Sequence, residues 1–215
     1  MANTTSVYSA NLLAAGQALH LSPHARRRDI VVVAASAGGV LALLDIVGDL
    51  PEDFETPIVI VLHRAPKPPH LLDKLLAKRC RLRVVEAATG DALVPRTIFV
   101  APPDGHLTLR SDRSFVVEDG RRIDHLRCSA NTLFESAAEI FGAGVVAVVL
   151  SGTGRDAAAG VAAIKARGGT VLVQNEATSA YFEMPAAAIQ TGAVDFVLPV
   201  DKIASALAVL STTTR

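Results

Sequence analysis

The sequence predicts an α/β fold: a doubly wound, mostly parallel sheet with helices on both faces and one β-hairpin. Three observations predict it. From Asp29 onward, short apolar runs alternate with longer helix-patterned stretches, the rhythm of strands joined by crossover helices. Several runs are almost wholly apolar, as strands covered on both faces must be. The composition is 50% hydrophobic but only 4% aromatic, with no Trp, so the core is built from small and β-branched side chains suited to closely packed layers.

Taken in order, strands are expected at Ile30 to Ala35, Ile58 to Leu62, Leu82 to Val85, Thr97 to Val100, Val145 to Leu150, Thr170 to Gln174 and Phe196 to Leu198. Helices are expected at Val40 to Val47, His70 to Arg79, Ala130 to Phe141, Ala157 to Ala166 and Lys202 to Leu210, with a short one at Ala186 to Gln190. Ser129 and Asp201 are suited to cap two of them. Pro66 to Pro69 reads as a loop entering a helix at its first turn. The exception to the alternation is Leu107 to Val117, where two apolar-alternating pieces flank Ser111-Asp112-Arg113. That is the pattern of a hairpin inserted into, or edging, the sheet.

The composition excludes several classes. The 215 residues carry 21 Lys and Arg against 21 Asp and Glu, so the basic excess of a protein devoted to nucleic acid is missing. No apolar run reaches the roughly 18 residues of a membrane span, so direct membrane insertion is not expected and a cytoplasmic location is. Cys80 and Cys128 lie far apart and outside any Cys/His cluster, against a disulfide framework or a structural zinc site. Residues 1–28 hold no acid and end in Arg26-Arg27-Arg28. They read as a flexible tail, preferred over an organelle transit peptide. Residues 29–215 read as one domain.

In open parallel sheets the site lies outside the carboxyl ends of the strands, and three loops there carry unusual content. Ala34-Ala35-Ser36-Ala37-Gly38-Gly39 places a hydroxyl at a strand tip near a helix N-terminus, where free N–H groups favour negative charge. A nucleophile and a phosphate cradle compete there. The spaced glycines of the dinucleotide fingerprint and the Walker Lys are missing, and the strict Gly-x-Ser-x-Gly elbow is absent too. Leu62-His63-Arg64 places an imidazole at the tip of another strand, suited to accept a proton from a neighbouring hydroxyl. In Ser151-Gly152-Thr153-Gly154-Arg155-Asp156, Asp156 is placed either to cap the following helix or to orient an imidazole. A Ser hydroxyl needs a base to take its proton and a carboxylate to hold that base, and Ser36, His63 and Asp156 supply the set.

With these residues in view, the chain from Asp29 to Leu210 resembles the catalytic domain of the chemotaxis receptor protein-glutamate methylesterases, the CheB type. The family's Gly-Ala-Ser-Thr-Gly-Gly is similar to Ala34 to Gly39, its strand ending in the catalytic His to Ile58 to His63, and its Gly-Met-Gly-x-Asp-Gly to Gly152 to Ala157. Further matches are Ala101 to His106, the Ser136-Ala137-Ala138 helix, Gln174 to Ser179, Met184-Pro185, and Gly192 to Asp195. The resemblance implies a serine hydrolase that removes methyl groups from glutamate methyl esters on cytoplasmic receptor helices, in some members with glutamine deamidation, and without metal or cofactor. It puts Ser36, His63 and Asp156 on the triad; the helix start and the bent loop place backbone N–H groups near Ala37 or Thr153 beside the oxyanion, and Met184 and Pro185 read as pocket wall.

The departures from the family pattern are Ala37 for Thr, Arg64-Ala65 for Met-Pro, Thr153 for Met, Ala157 for Gly, and Glu183 for the Gly before Met-Pro. Glu183 is expected to bring a charge near the site. Family members usually carry a receiver domain, which 28 residues cannot hold, so control is expected from a separate response-regulator protein. Two other functions stay open: a degenerate receptor-binding or regulatory module of the same fold, and a nucleotide-binding domain using Ser36 to Gly39. His70, His106 and His125 read as solvated or structural, with a place bordering the site as the alternative for His106, which lies in a family-like motif; Arg121, Arg122 and Arg127 read as a solvated basic face with a docking role as its alternative.

Overall fold

The fold is described from a computed structural model over residues 28–64, 71–119 and 128–211. In chain order its elements are β1 (Ile30–Ala35), α1 (Gly39–Asp49), β2 (Ile58–Leu62), α2 (Leu72–Ala77), β3 (Arg83–Glu86), β4 (Thr97–Val100), β5 (Gly105–Leu109) and β6 (Phe115–Asp119). There follow α3 (Ala130–Phe141), β7 (Val145–Val149), α4 (Ala158–Ala166), β8 (Thr170–Gln174), α5 (Glu183–Gln190), β9 (Phe196–Leu198) and α6 (Val200–Ser211). Seven strands form one sheet in the order β3-β4-β2-β1-β7-β8-β9, and every pairing in it is parallel.

The apolar runs are explained by the two layers that cover this sheet. Side chains alternate across a strand, and in β1 both sets are buried. Val31, Val33 and Ala35 face Leu43 and Ile46 of α1, Leu76 of α2 and Leu207 of α6. Ile30, Val32 and Ala34 face Leu133 and Phe134 of α3, Ile164 of α4 and Ala188 of α5. A strand buried on both faces gains about 25 cal/mol for each Å² of apolar surface removed from water on either side. A polar residue in its interior would forfeit this gain and need a partner of its own.

The hairpin departs from expectation. β5 and β6 pair antiparallel in a separate two-stranded sheet and neither enter nor edge the parallel one. The hairpin lies over the α3 face instead, with Leu107, Leu109 and Phe115 in the same core as Phe134, and the rings of Phe115 and Phe99 stand 4.8 Å apart. Its apolar side chains are thus buried by packing against a helix layer, with no need for a place in the ladder.

Other differences are local. β3 begins one residue late and is an exposed edge, while Leu150 lies just past β7 yet still donates its N–H to Ala34. α1 runs on to Asp49, α2 stops at Ala77, and α5 begins at Glu183, three residues early. α6 begins at Val200, which moves Asp201 from the cap into the first turn. α4 begins at Ala158 because Ala157 has φ 78, a left-handed conformation that favours glycine. The expected tail 1–28 apart from Arg28, Pro66 to Pro69, Ala65, His70, Arg121, Arg122, His125 and Arg127 lie outside the described residues. Among the described residues no helix is long and apolar enough to cross a membrane.

Candidate active site

The parallel register decides which loops meet. β1 pairs with β2 so that Ala35 faces Leu62, and the next residues along are Ser36 and His63. The His63 N–H donates to the Ala35 carbonyl at 3.0 Å. On the other side Ala34 faces Val149, and the Ser36 N–H donates to the Ser151 carbonyl at 3.0 Å. Ser36 therefore sits at the tip of the central strand, between the His of one neighbour and the Ser151-Gly152 turn of the other. This is where the strand order reverses, β2 lying on one side of β1 and β7 on the other, and such points form the ligand crevice of open parallel sheets.

Two glycines are required by this geometry. Gly38 has φ 74, and a Cβ there would lie 2.6 Å from the Ala180 Cβ and 2.8 Å from the Ser151 Oγ. A Cβ on Gly152 would lie 2.8 Å from the Ser36 Cβ and 2.9 Å from the Met184 Sδ. The glycines of these two loops thus let the Ser36 turn and the Gly152 turn touch. The Gly152 turn is also pinned from behind: its N–H donates to the Tyr181 carbonyl at 2.9 Å, and its carbonyl accepts from the Met184 N–H at 3.0 Å.

Asp156 is the most heavily bonded side chain of the site. Its Oδ2 meets the His63 Nε2 at 2.7 Å and accepts from the Ala130 N–H at 2.6 Å. Its Oδ1 accepts from the Ser129 hydroxyl at 2.9 Å and the Asn131 N–H at 3.2 Å. The carboxylate thus caps α3, 26 residues before it in the chain, as well as binding the imidazole; its own helix α4 has no side-chain cap. Burial pushes the Asp156 carboxyl up, but the bonds from His63, Ala130 and Ser129 outweigh it and hold the group below its ordinary value of 3.8. Asp156 is therefore an anion at neutral pH, with a helix N-terminus and a ring N–H to stabilise it.

With Nε2 bound to Asp156, Nδ1 is the ring nitrogen left to serve as base. The roles of the two nitrogens are exchanged relative to the serine-protease triad, in which the carboxylate holds Nδ1. No hydrogen bond joins Ser36 to His63 among the described residues, a looseness common before substrate arrives. The N–H groups of Ala37 and Thr153 donate to no acceptor among the described residues. They follow the two residues whose Cβ positions nearly touch, so both are available to an oxyanion beside Ser36.

The remaining expected site residues divide. Met184 is fully buried behind Gly152 and walls the turn. Pro185 is buried in the first turn of α5, a place suited to a residue without an N–H. The Glu183 carboxylate accepts from the Gly154 N–H at 3.1 Å and so braces the loop that carries Asp156. Arg64 donates to the Ala101 carbonyl and the Glu86 carboxylate, both at 3.3 Å. Cys128 lies beside Asp156, and its thiol is pushed up to about 12, first by burial and then by that carboxylate.

Sequence reasoning missed three participants. Ser129 stands at the N-cap position of α3 but makes no capping bond; its hydroxyl donates to Asp156 instead. The Ser151 hydroxyl donates to the Ala37 carbonyl at 2.8 Å and accepts from the Tyr181 N–H at 3.0 Å. Gln174 at the end of β8 accepts from the Ser151 N–H at 2.8 Å. A Ser directly after a buried strand was the one signal of the Ser151 bridge, whereas Tyr181 enters through its backbone and leaves no trace in residue type.

Comparison with known proteins agrees over most of the chain. A family model described as CheB methylesterase matches residues 31–207. A protein-glutamate methylesterase/protein-glutamine glutaminase of Anaeromyxobacter dehalogenans is 44% identical over 183 residues, 85% of this chain and 53% of that protein. One of Pyrococcus horikoshii is 38% identical over 195 residues, 89% of this chain and 53% of that protein. The chain thus spans about half the length of these two curated relatives. The crystal structure of the Thermotoga maritima CheB methylesterase catalytic domain superposes with a TM-score of 0.78 at 34% identity, covering 85% of this chain and 98% of that one.

Proposed function

The chain belongs to the CheB methylesterase family, and from that premise we propose that it is a serine hydrolase acting on glutamate methyl esters. Its substrates are the methylated cytoplasmic helices of chemoreceptor-type proteins, and glutamine side chains of the same helices are deamidated by the same chemistry. The observation that carries the reading is the His63 Nε2 held at 2.7 Å by a buried, four-bonded carboxylate, on the strand next to Ser36.

In the proposed reaction the Ser36 Oγ attacks the ester carbonyl while His63 Nδ1 takes the hydroxyl proton. The new C–O bond makes a tetrahedral oxyanion, and the Ala37 and Thr153 N–H groups stabilise it. The C–OCH₃ bond then breaks, His63 returns the proton to the leaving oxygen, and methanol departs. Water repeats the sequence on the acyl-enzyme, giving free glutamate and the Ser36 hydroxyl. Asp156 stays ionised and stabilises the imidazolium that forms twice per turnover. A separate response-regulator protein is the proposed controller.

The test is methanol release from methylated receptor fragment, with Ser36→Ala as control. Release by the unmodified protein, abolished in the variant, is expected. Undiminished release from Ser36→Ala would overturn the mechanism, and receptor binding without any release would favour the non-catalytic alternative.

A further inference from the structure

We propose that Ser129 and His106 are positioning residues for the triad carboxylate, acting through Asp156 without touching substrate. The inference rests on the triad reading of Ser36, His63 and Asp156. It explains two facts which that reading leaves over: a capping serine that does not cap, and a hairpin that stands apart from the sheet.

Serine at an N-cap ordinarily accepts from an N–H of the first turn through its hydroxyl. Ser129 has the extended backbone of an N-cap, φ −100 and ψ 132, yet makes no such bond. The acceptor's place is taken by Asp156, which receives the Ala130 and Asn131 N–H groups, and Ser129 turns its hydroxyl to donate to the same carboxylate. Each carboxylate oxygen then has two donors, one of them a backbone N–H at the start of α3. Rotation of the carboxylate would break bonds at both oxygens together, so the Oδ2 offered to His63 is fixed in direction as well as in charge.

His106 fixes Ser129 in turn. The Ser129 N–H donates to the His106 Nδ1 at 3.2 Å, and both residues are buried, at 1% and 3% exposure. That bond assigns His106 Nδ1 as an acceptor, with no proton on it. His106 belongs to β5, and β5 grips α3 a second time about two turns on, where the Leu109 N–H donates to the Ser136 hydroxyl at 3.2 Å. A continuous path of hydrogen bonds therefore runs from the hairpin through His106, Ser129 and Asp156 to His63. The hairpin lies over the helix layer because it buttresses the end of α3 that holds the base's carboxylate.

The test compares the whole chain with its Ser129→Ala, His106→Leu and His106→Asn variants, the last keeping an acceptor near the position of Nδ1. The readouts are the rate of covalent labelling of Ser36 by a fluorophosphonate, and kcat and KM for a small chromogenic ester, normalised to labelled Ser36. One hydrogen bond to a charged group corresponds to a loss of ~10-fold or more. Ser129→Ala is expected to lower kcat and the labelling rate by about that much with KM unchanged. His106→Leu is expected to lower both, and His106→Asn to recover most of the loss. Because activity is counted per reactive Ser36, a merely structural role would reduce the labelled fraction and leave kcat alone. Unchanged kcat in Ser129→Ala would overturn this inference and leave the triad standing. Failure of the unmodified protein to label at Ser36 would overturn both.

Discussion

Replacing Asp156 by Asn removes one charge and turns one acceptor into a donor, and the structure says where that donor must go. At the Oδ2 position an NH₂ group would face the Ala130 N–H at 2.6 Å; at the Oδ1 position it would face the Asn131 N–H at 3.2 Å. The second conflict is milder, and the Ser129 hydroxyl beside it can reverse and accept. The amide nitrogen therefore takes the Oδ1 place, and the carbonyl oxygen stays against His63 Nε2. The imidazole keeps its tautomer, with Nδ1 free to accept the Ser36 proton. In a triad where the amide enforces the wrong tautomer, the cost is about 10⁴ in kcat. Here the principal loss is the attraction between carboxylate and imidazolium. For charge centres ~4 Å apart at an effective dielectric of ~20 this attraction is about 4 kcal/mol, or roughly 10³ in rate. The assay is kcat for ester hydrolysis, normalised to fluorophosphonate-reactive Ser36. A fall of less than about tenfold would show that Asp156 does not stabilise the imidazolium. A fall beyond about 10⁴ would show that the amide had turned the other way.

The same carboxyl sets an acid limb of stability. Its folded pKa is depressed below 3.8, so its contribution is full above that value and is lost as pH falls through the lower folded value. In urea titrations the stability gap between the unmodified protein and Asp156→Asn should therefore narrow as pH is taken below 3.8; a gap that widens would reverse the sign. Gly152→Ala would press a methyl into Ser36 and Met184 and should cost ~1–3 kcal/mol by overpacking, with loss of ester hydrolysis; a variant of normal activity and melting temperature would contradict the close approach. Ala157→Gly relieves a left-handed conformation worth ~1–2 kcal/mol but exposes more backbone freedom and removes a buried methyl, together about as much. Its stability should thus lie within ~1 kcal/mol of the unmodified protein in urea. Cys128, with its thiol pushed up to about 12, should resist iodoacetamide at pH 8 in the native state and react on unfolding; rapid native labelling, read by mass spectrometry, would refute its burial beside Asp156.

Much of the site was legible because it lies at strand ends. An apolar run followed at once by Ser36, or by His63, marks a residue at the carboxyl edge of a parallel sheet, and five of the seven sheet strands have the same bounds in sequence and structure. Asp156 was legible as a cap or an orienter but not as both, because the helix it caps is not its own. Ser129 was read from its place before a helix, which a local pattern can supply. Its true partner arrives only when α3 and α4 pack together.

The layering and the three loops at one edge of the sheet follow from local periodicity: buried strands are apolar throughout, and chemistry stands where an apolar run stops. Tertiary structure alone decided the order of the strands, which puts Ser36 between His63 and Gly152. It also decided which nitrogen of His63 meets Asp156, and that the hairpin covers α3. The second and third depend on side chains that meet only when the layers pack; the first depends on backbone hydrogen bonds between residues tens of positions apart. Backbone groups are the same in every residue, so residue type cannot announce them.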